Sequence, residues 1–336
     1  MLFSVDREFP RTSDGFHLRA QAGDEVRRIG RQLGAALDRV QVPLLLIGGW
    51  QDIFIEQTVQ QYRHLRARGV DVGLTVGPWT HRDLIGKATA TVARESFDWL
   101  GAHLSGAGPT RRSPVRVFVT GDGWVDLPDW PPATSERVLY LQPGGGLADT
   151  QPSASAPPSQ FFYDPTNPTP TVGGRMLAEE GGYRDDTRLA RRGDVLSFTG
   201  YVLTDDVYVC GTPVVELSHS SQNPHVDVFV RVSEVDARGR SRNVSDGFRR
   251  LAPESGSRLV RLELDPIAHR FRAGSRIRVY VAGGSHPRYA RNPGTGEPAI
   301  TARRTAGAAH VVHHGEGGVS RLVLPASARR PSGDGG

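Results

Sequence analysis

The sequence predicts an α/β layer followed by an antiparallel all-β sandwich, and three observations carry that prediction. Up to about residue 105, helical apolar spacing alternates with short continuous apolar runs. From Pro114 onward, short alternating segments recur between Gly, Pro and Asp turns. The 336 residues also include 40 glycines and 24 prolines, a composition suited to a loop-rich β architecture.

The elements follow in order. Asp24 to Val40 places Val26, Ile29, Leu33, Leu37 and Val40 on one helical face, with Asp24 as N-cap. Val42-Pro43-Leu44-Leu45-Leu46-Ile47, closed by Gly48-Gly49, is apolar on both faces and suits a central parallel strand. Glu56 to Arg68 is helical through Val59, Tyr62 and Leu65, with Gly69 as its C-cap. Val70 to Val76 is the next strand, and Ala88 to Leu104 a helix carrying Val92, Phe97, Trp99 and Leu100. This α-β-α-β-α order is the closing portion of a doubly wound sheet.

Beyond it, strands are expected at 115–119, 137–141, 195–203, 212–217, 225–235, 259–264, 275–281 and 320–324. Such spacing is that of an antiparallel sandwich or jelly roll. The Pro/Ser/Ala stretch 151–160 reads as a loop. The expected organisation is a partial α/β domain over 1–108, a jelly-roll domain over 109–327 and a disordered tail over 328–336.

Charge and cysteine content exclude several classes. The net charge is +5, but Lys87 is the only lysine and the arginines are interleaved with 36 acidic residues. No clustered basic footprint exists, so no nucleic-acid partner is expected. No run approaches the ~18 apolar residues of a membrane span. Met1 to Arg11 lacks the basic-then-apolar pattern of a signal peptide, so a cytoplasmic location is expected. Cys210 is the only cysteine, which rules out an intramolecular disulfide, and its strand-like surroundings (207–211) suit a small buried residue.

The candidate site lies at the ends of two apolar strands. Leu46-Ile47-Gly48-Gly49-Trp50-Gln51-Asp52-Ile53-Phe54 and Val76-Gly77-Pro78-Trp79-Thr80-His81 each run from an apolar segment into a polar loop. Asp52 and His81 are 29 residues apart (81 − 52), enough for one helix and one return strand. An α/β-hydrolase orders its triad along the chain as Ser, then Asp, then His. Read singly, Asp52 could cap the helix near Glu56 and His81 could be a surface loop residue. Read together, each at a strand end, they suit an acid–base pair. No Gly-x-Ser-x-Gly elbow occurs in the sequence.

These segments resemble the C-terminal part of the cocaine-esterase/X-Pro dipeptidyl-peptidase group of serine hydrolases, the CocE/NonD hydrolases. The resemblance runs from roughly residue 24 to 325 and is strongest in the two segments that hold Asp52 and His81. Leu127-Pro128-Asp129-Trp130-Pro131-Pro132, Tyr163-Asp164-Pro165 and Pro170-Thr171-Val172-Gly173-Gly174 follow in the expected order. Asp246-Gly247-Phe248-Arg249 and His286-Pro287-Arg288-Tyr289-Ala290-Arg291-Asn292-Pro293 complete the set. Gln51 stands where an aromatic is common, and Arg82 where glycine is common.

The resemblance implies an α/β-hydrolase domain with a C-terminal jelly roll, hydrolysing esters or amides through an acyl-enzyme. Asp52 then matches the triad acid, His81 the triad base, and Phe54 an aromatic near the acyl pocket. A serine hydroxyl becomes a good nucleophile when a base takes its proton, and an imidazole titrates near neutral pH. The acid holds the base in the donor tautomer. Neither residue can itself form the acyl-enzyme, so an upstream polypeptide is expected to supply the serine. The expected partners are a small ester or peptide substrate and that polypeptide, with self-association into a homo-oligomer as a further option. A sheet lacking its nucleophile strand would leave an apolar strand edge and helix faces uncovered. The competing reading is a non-catalytic jelly-roll module that binds carbohydrate or protein and carries a vestigial hydrolase remnant.

Other residues are assigned blander roles. Ser4 and Ser13 lack a strand-turn-helix setting, and Ser320 is read as structural. His310, His313, His314 and Glu316 could suggest zinc, but alternation along a strand points His313 away from the other two, so neither metal nor cofactor is expected. Trp124, Trp130, Phe161, Phe162 and Tyr163 are expected to pack the sandwich rather than line a sugar groove.

Overall fold

The computed structural model describes residues 36–105, 108, 111, 113–253 and 256–332. Most of the expected helix at 24–40, with its cap Asp24, lies outside the described residues, as do Ser4 and Ser13. Within them, β1 (Leu44–Gln51), α1 (Ile55–Ala67), β2 (Val72–Thr80), α2 (His81–Leu84) and α3 (Thr89–Leu104) follow in order. Two more strands, β3 (Val115–Val119) and β4 (Gly123–Leu127), complete a four-stranded sheet ordered β1-β2-β3-β4.

β1 pairs parallel with β2, and β2 parallel with β3. Thus 115–119, expected to open the β sandwich, belongs to the first sheet, with Leu74 opposite Val115 and Val76 opposite Val117. Its alternation is real, since Val115, Val117 and Val119 are buried, but alternation does not say which sheet a strand joins. α1 buries Ile55, Val59, Tyr62 and Leu65 against this sheet. α3 departs from expectation. Trp99 packs over Gly73, whereas Phe97 (73% exposed), Leu100 (49%) and Leu104 (80%) face solvent.

The remaining thirteen strands form one hydrogen-bonded network, antiparallel except where 146–148 meets 195–200. Expected strands recur with shifted ends, for example Asp227–Val235 and Arg276–Ala282. Strands at Ser159–Tyr163, Ser241–Arg250 and Ile267–Phe271 were not predicted. The first of these takes the last two residues of the expected 151–160 loop. The expected tail is tied down as far as Arg330, whose Nε donates to Asp122 at 2.8 Å.

The larger core cluster fills this network, from Leu139 and Phe198 to Leu322 and Leu324. A second cluster joins the two sheets, because Tyr208, Cys210 and Ala268 pack with Trp50, Trp130 and Val117. Burial pushes the Cys210 thiol up to about 12, as suits an inert core residue. Trp130, Phe161 and Tyr163 are buried, while Phe162 is exposed. Among the described residues, no helix is long and apolar enough to cross a membrane.

Candidate active site

Two adjacent parallel strands bring the candidate acid and base together. Gly49 lies opposite Gly77, and a register shift then sets Gln51 opposite Thr80. The close approach requires glycine: a Cβ at Gly49 would stand 2.2 Å from the Trp79 carbonyl oxygen, and one at Gly77 2.5 Å from the Trp79 ring. Both strands therefore end side by side, with Asp52 just past β1 and His81 opening α2.

Asp52 is buried and held by its own turn. Its backbone N–H donates to the Gly49 carbonyl at 2.9 Å, and its Oδ1 accepts the Phe54 N–H at 2.9 Å. The same carboxylate faces His81 Nδ1 at 3.2 Å from Oδ1 and 3.3 Å from Oδ2. Asp52 is therefore not the cap of α1, whose N-cap is Phe54 without a side-chain cap bond; it forms the turn before the helix and faces the base. An ionised carboxylate only accepts, so the neutral imidazole carries its proton on Nδ1 and leaves Nε2 as the basic nitrogen. The His81 side chain is 40% exposed, so the ring is accessible. Thr80 caps α2 reciprocally with Asp83, fixing the backbone at His81. Phe54 sets its ring edge-on to His81, with centroids 5.3 Å apart.

Of the two residues that depart from the family pattern, Gln51 contacts the second sheet and Arg82 a turn at Glu179. Gln51 is buried, and its Nε2 donates to the Val244 carbonyl at 3.5 Å. Arg82 pairs with Glu179 at 3.3 Å across an exposed surface.

Sequence reasoning missed a buried ion network behind the acid turn. Arg231, Asp246, Asp186, Arg288 and Asp265 are all nearly or fully buried. Arg231 donates through Nε to Asp246 Oδ1 and through Nη2 to Oδ2, and Arg288 donates to the same Oδ2. Burial alone would raise the Asp246 carboxyl, but the two guanidiniums hold it below the usual range. Asp265 is pushed up to about 6 by burial, against the pull of Arg175 and Arg288. Two motifs without an assigned role meet here, where Phe248 stacks on Tyr289 at 4.0 Å between centroids. Arg231 within the largely apolar strand Asp227–Val235 was the available signal; its pairing was not visible.

The histidine cluster separates into individual contacts. His310 meets His219, His313 meets Ser220 and His314 meets Ser159, each at 2.8–3.0 Å. Among the described residues, no three His, Cys, Asp or Glu side chains converge as metal ligands. Ser320 is buried and bridges the Ser218 N–H and the His313 carbonyl.

Comparison with known proteins agrees with this architecture. Residues 107–323 match the family model described as the X-Pro dipeptidyl-peptidase C-terminal non-catalytic domain, and residues 19–83 that of X-Pro dipeptidyl-peptidase (S15 family). The chain is 31% identical to cocaine esterase of Rhodococcus sp. (strain MB1 Bresler) over 336 residues, covering 86% of this chain and 57% of the relative. The chain thus spans about half the length of the curated relatives it matches. An α-amino acid ester hydrolase superposes with a TM-score of 0.77 at 23% identity, covering 86% of this chain and 56% of that one. An aminopeptidase from the marine sediment archaeon Thaumarchaeota archaeon gives 0.78 at 22%, covering 96% and 65%.

Proposed function

Because the chain belongs to the CocE/NonD family of esterase and X-Pro-peptidase-like hydrolases, we propose that it is the C-terminal part of a serine hydrolase in which Asp52 and His81 act as acid and base. The Asp52–His81 contact at 3.2 Å, built at the ends of two adjacent parallel strands, carries this reading. On it, the serine comes from polypeptide outside this sequence.

The chemistry then runs as follows. His81 Nε2 takes the serine hydroxyl proton as Oγ bonds to the carbonyl carbon of an ester or amide. The imidazolium gives that proton to the departing alcohol or amine, and the acyl-enzyme forms. Water, deprotonated by the same nitrogen, releases the acid and regenerates the serine. Asp52 remains ionised, holds Nδ1–H and stabilises the imidazolium. Phe54 would border the acyl group beside the base.

A second observation supports an incomplete catalytic layer. Among the described residues, β1 is paired only on its β2 side, although its apolar run suits a central strand. Val42 is exposed nearby, and α3 turns Phe97, Leu100 and Leu104 outward. We read residues up to 108 as the hydrolase segment and 109–327 as a jelly-roll unit that supports it, the unit's first two strands, Val115–Val119 and Gly123–Leu127, extending the hydrolase sheet.

A fluorophosphonate probe tests the proposal. The chain is mixed or co-expressed with the part of a family member that carries a Gly-x-Ser-x-Gly elbow. Labelling of that serine only when this chain is present, and its loss with His81→Ala, is the expected result. Labelling that ignores His81, or none at all, would favour the competing non-catalytic binding module. The description of the model matched by 107–323 as non-catalytic is the observation that keeps this second reading in view.

A further inference from the structure

We propose that Arg175 is a positioning residue for the Asp52–His81 pair, tying the acid-bearing turn to the buried ion network of the second sheet. The inference rests on the acid–base reading above and adds the element that holds the acid in place.

Arg175 lies in the loop after Gly174, and its side chain is 12% exposed. Its Nη2 meets Glu56 Oε1 at 2.8 Å and Asp265 Oδ1 at 2.5 Å, so one nitrogen bridges the two units. Glu56 sits in the first turn of α1, four residues after Asp52. The turn between them is short and held by two bonds: Phe54 N–H to Asp52 Oδ1 and Ile55 N–H to Asp52 O at 3.2 Å. A shift of the start of α1 therefore carries the Asp52 carboxylate with it.

The far side of Arg175 is well anchored. Asp265 also faces Arg288 at 3.5 Å, Arg288 holds Asp246, and Asp246 is clasped by Arg231. Arg231 reaches Asp186 at 3.5 Å, and Ser233 donates to the same oxygen at 2.7 Å. Three arginines here balance three aspartates, leaving Glu56, half-exposed on the first unit, as the additional charge that Arg175 recruits. Breaking a buried pair is costly, so this frame is stiff and α1 is the movable partner.

The test reads the imidazole directly and needs no nucleophile. The ring of His81 in the full chain is observed by 15N NMR at about pH 8.5, above the usual imidazole range. Tautomer preference reports the hydrogen bond made by the other nitrogen. Wild type should be predominantly Nδ1–H, and Asp52→Ala should lose that predominance. Arg175→Met should move toward the Asp52→Ala spectrum, and Arg175→Lys should retain the wild-type one, since a single ammonium can bridge both acids. A folded Arg175→Met chain with the wild-type spectrum overturns the proposal. An unchanged Asp52→Ala spectrum overturns the acid–base reading instead. Should Arg175→Met fail to fold, Glu56→Gln removes only the half-exposed arm. A partial move toward Nε2–H then supports the proposal, and no move refutes it.

Discussion

The His219–His310 pair should make the second sheet labile in mild acid. Both rings are fully buried, and His219 Nε2 meets His310 Nδ1 at 3.0 Å. Among the described residues, His219 Nδ1 and His310 Nε2 have no hydrogen-bond partner to steady a second proton. Phe161 stacks on His310 at 4.5 Å, so one face is apolar. Burial pushes His219 down to about 4, with Arg258 and His313 adding to it. It pushes His310 down to about 3, with His219 adding to it. An unfolded imidazole titrates near 6.5, so the unfolded chain binds these protons first. Stability therefore falls as pH drops from about 6.5 toward 4. Between pH 7 and pH 5 each ring removes about 2 kcal/mol, about 4 together. Asp265 works in the opposite direction, because its raised carboxyl destabilises the folded chain less as pH falls.

A double variant, His219→Leu/His310→Leu, isolates the pair. Replacing both partners by apolar groups of similar size is nearly neutral in itself. Urea unfolding followed by far-UV circular dichroism at pH 7 and pH 5 gives the two losses. Wild type should lose about 4 kcal/mol more than the double variant. Losses equal to within about 1 kcal/mol would mean that the folded chain protonates these rings, and the argument from burial would fail.

Three further outcomes follow from the packing. Arg231→Met strands Asp246 and Asp186 without their shared cation and should cost about 3–5 kcal/mol, read as a lower urea midpoint; a loss under about 1 kcal/mol would show that the network is hydrated. Gly49→Ala forces β1 away from the Trp79 carbonyl, so the downfield His81 Nδ1–H resonance should disappear and stability fall by about 1–3 kcal/mol. If the outward face of α3 drives self-association, Phe97→Ser/Leu104→Ser should lower the associated fraction in sedimentation velocity; an unchanged distribution would count against an exposed sticky face.

Local pattern made much of this protein legible. The apolar run before Gly48, the helical face of Val59, Tyr62 and Leu65, and the two segments ending in Asp52 and His81 could all be read from period and composition. These features involve near neighbours in the chain, where side-chain direction follows from backbone geometry. The pairing of Asp52 with His81 was inferable because one parallel register joins them across a single helix. Other features depended on distant contacts. Val115–Val119 alternates as either sheet would require, and only the partner Leu74 assigns it to the first. Phe97 and Leu100 have the composition of a core face, yet the structure leaves them in solvent. Arg175, Arg231, Asp246 and Arg288 look like surface charges in sequence. Their burial is tolerable only because opposite charges up to 90 positions apart (265 − 175) neutralise one another in three dimensions. The sequence alone therefore determined the first strands and helices and the two chemical groups at the strand ends. The tertiary structure decided which strands pair, which apolar face stays open and which buried charges hold the acid turn, because each depends on contacts that the chain makes only once it has folded.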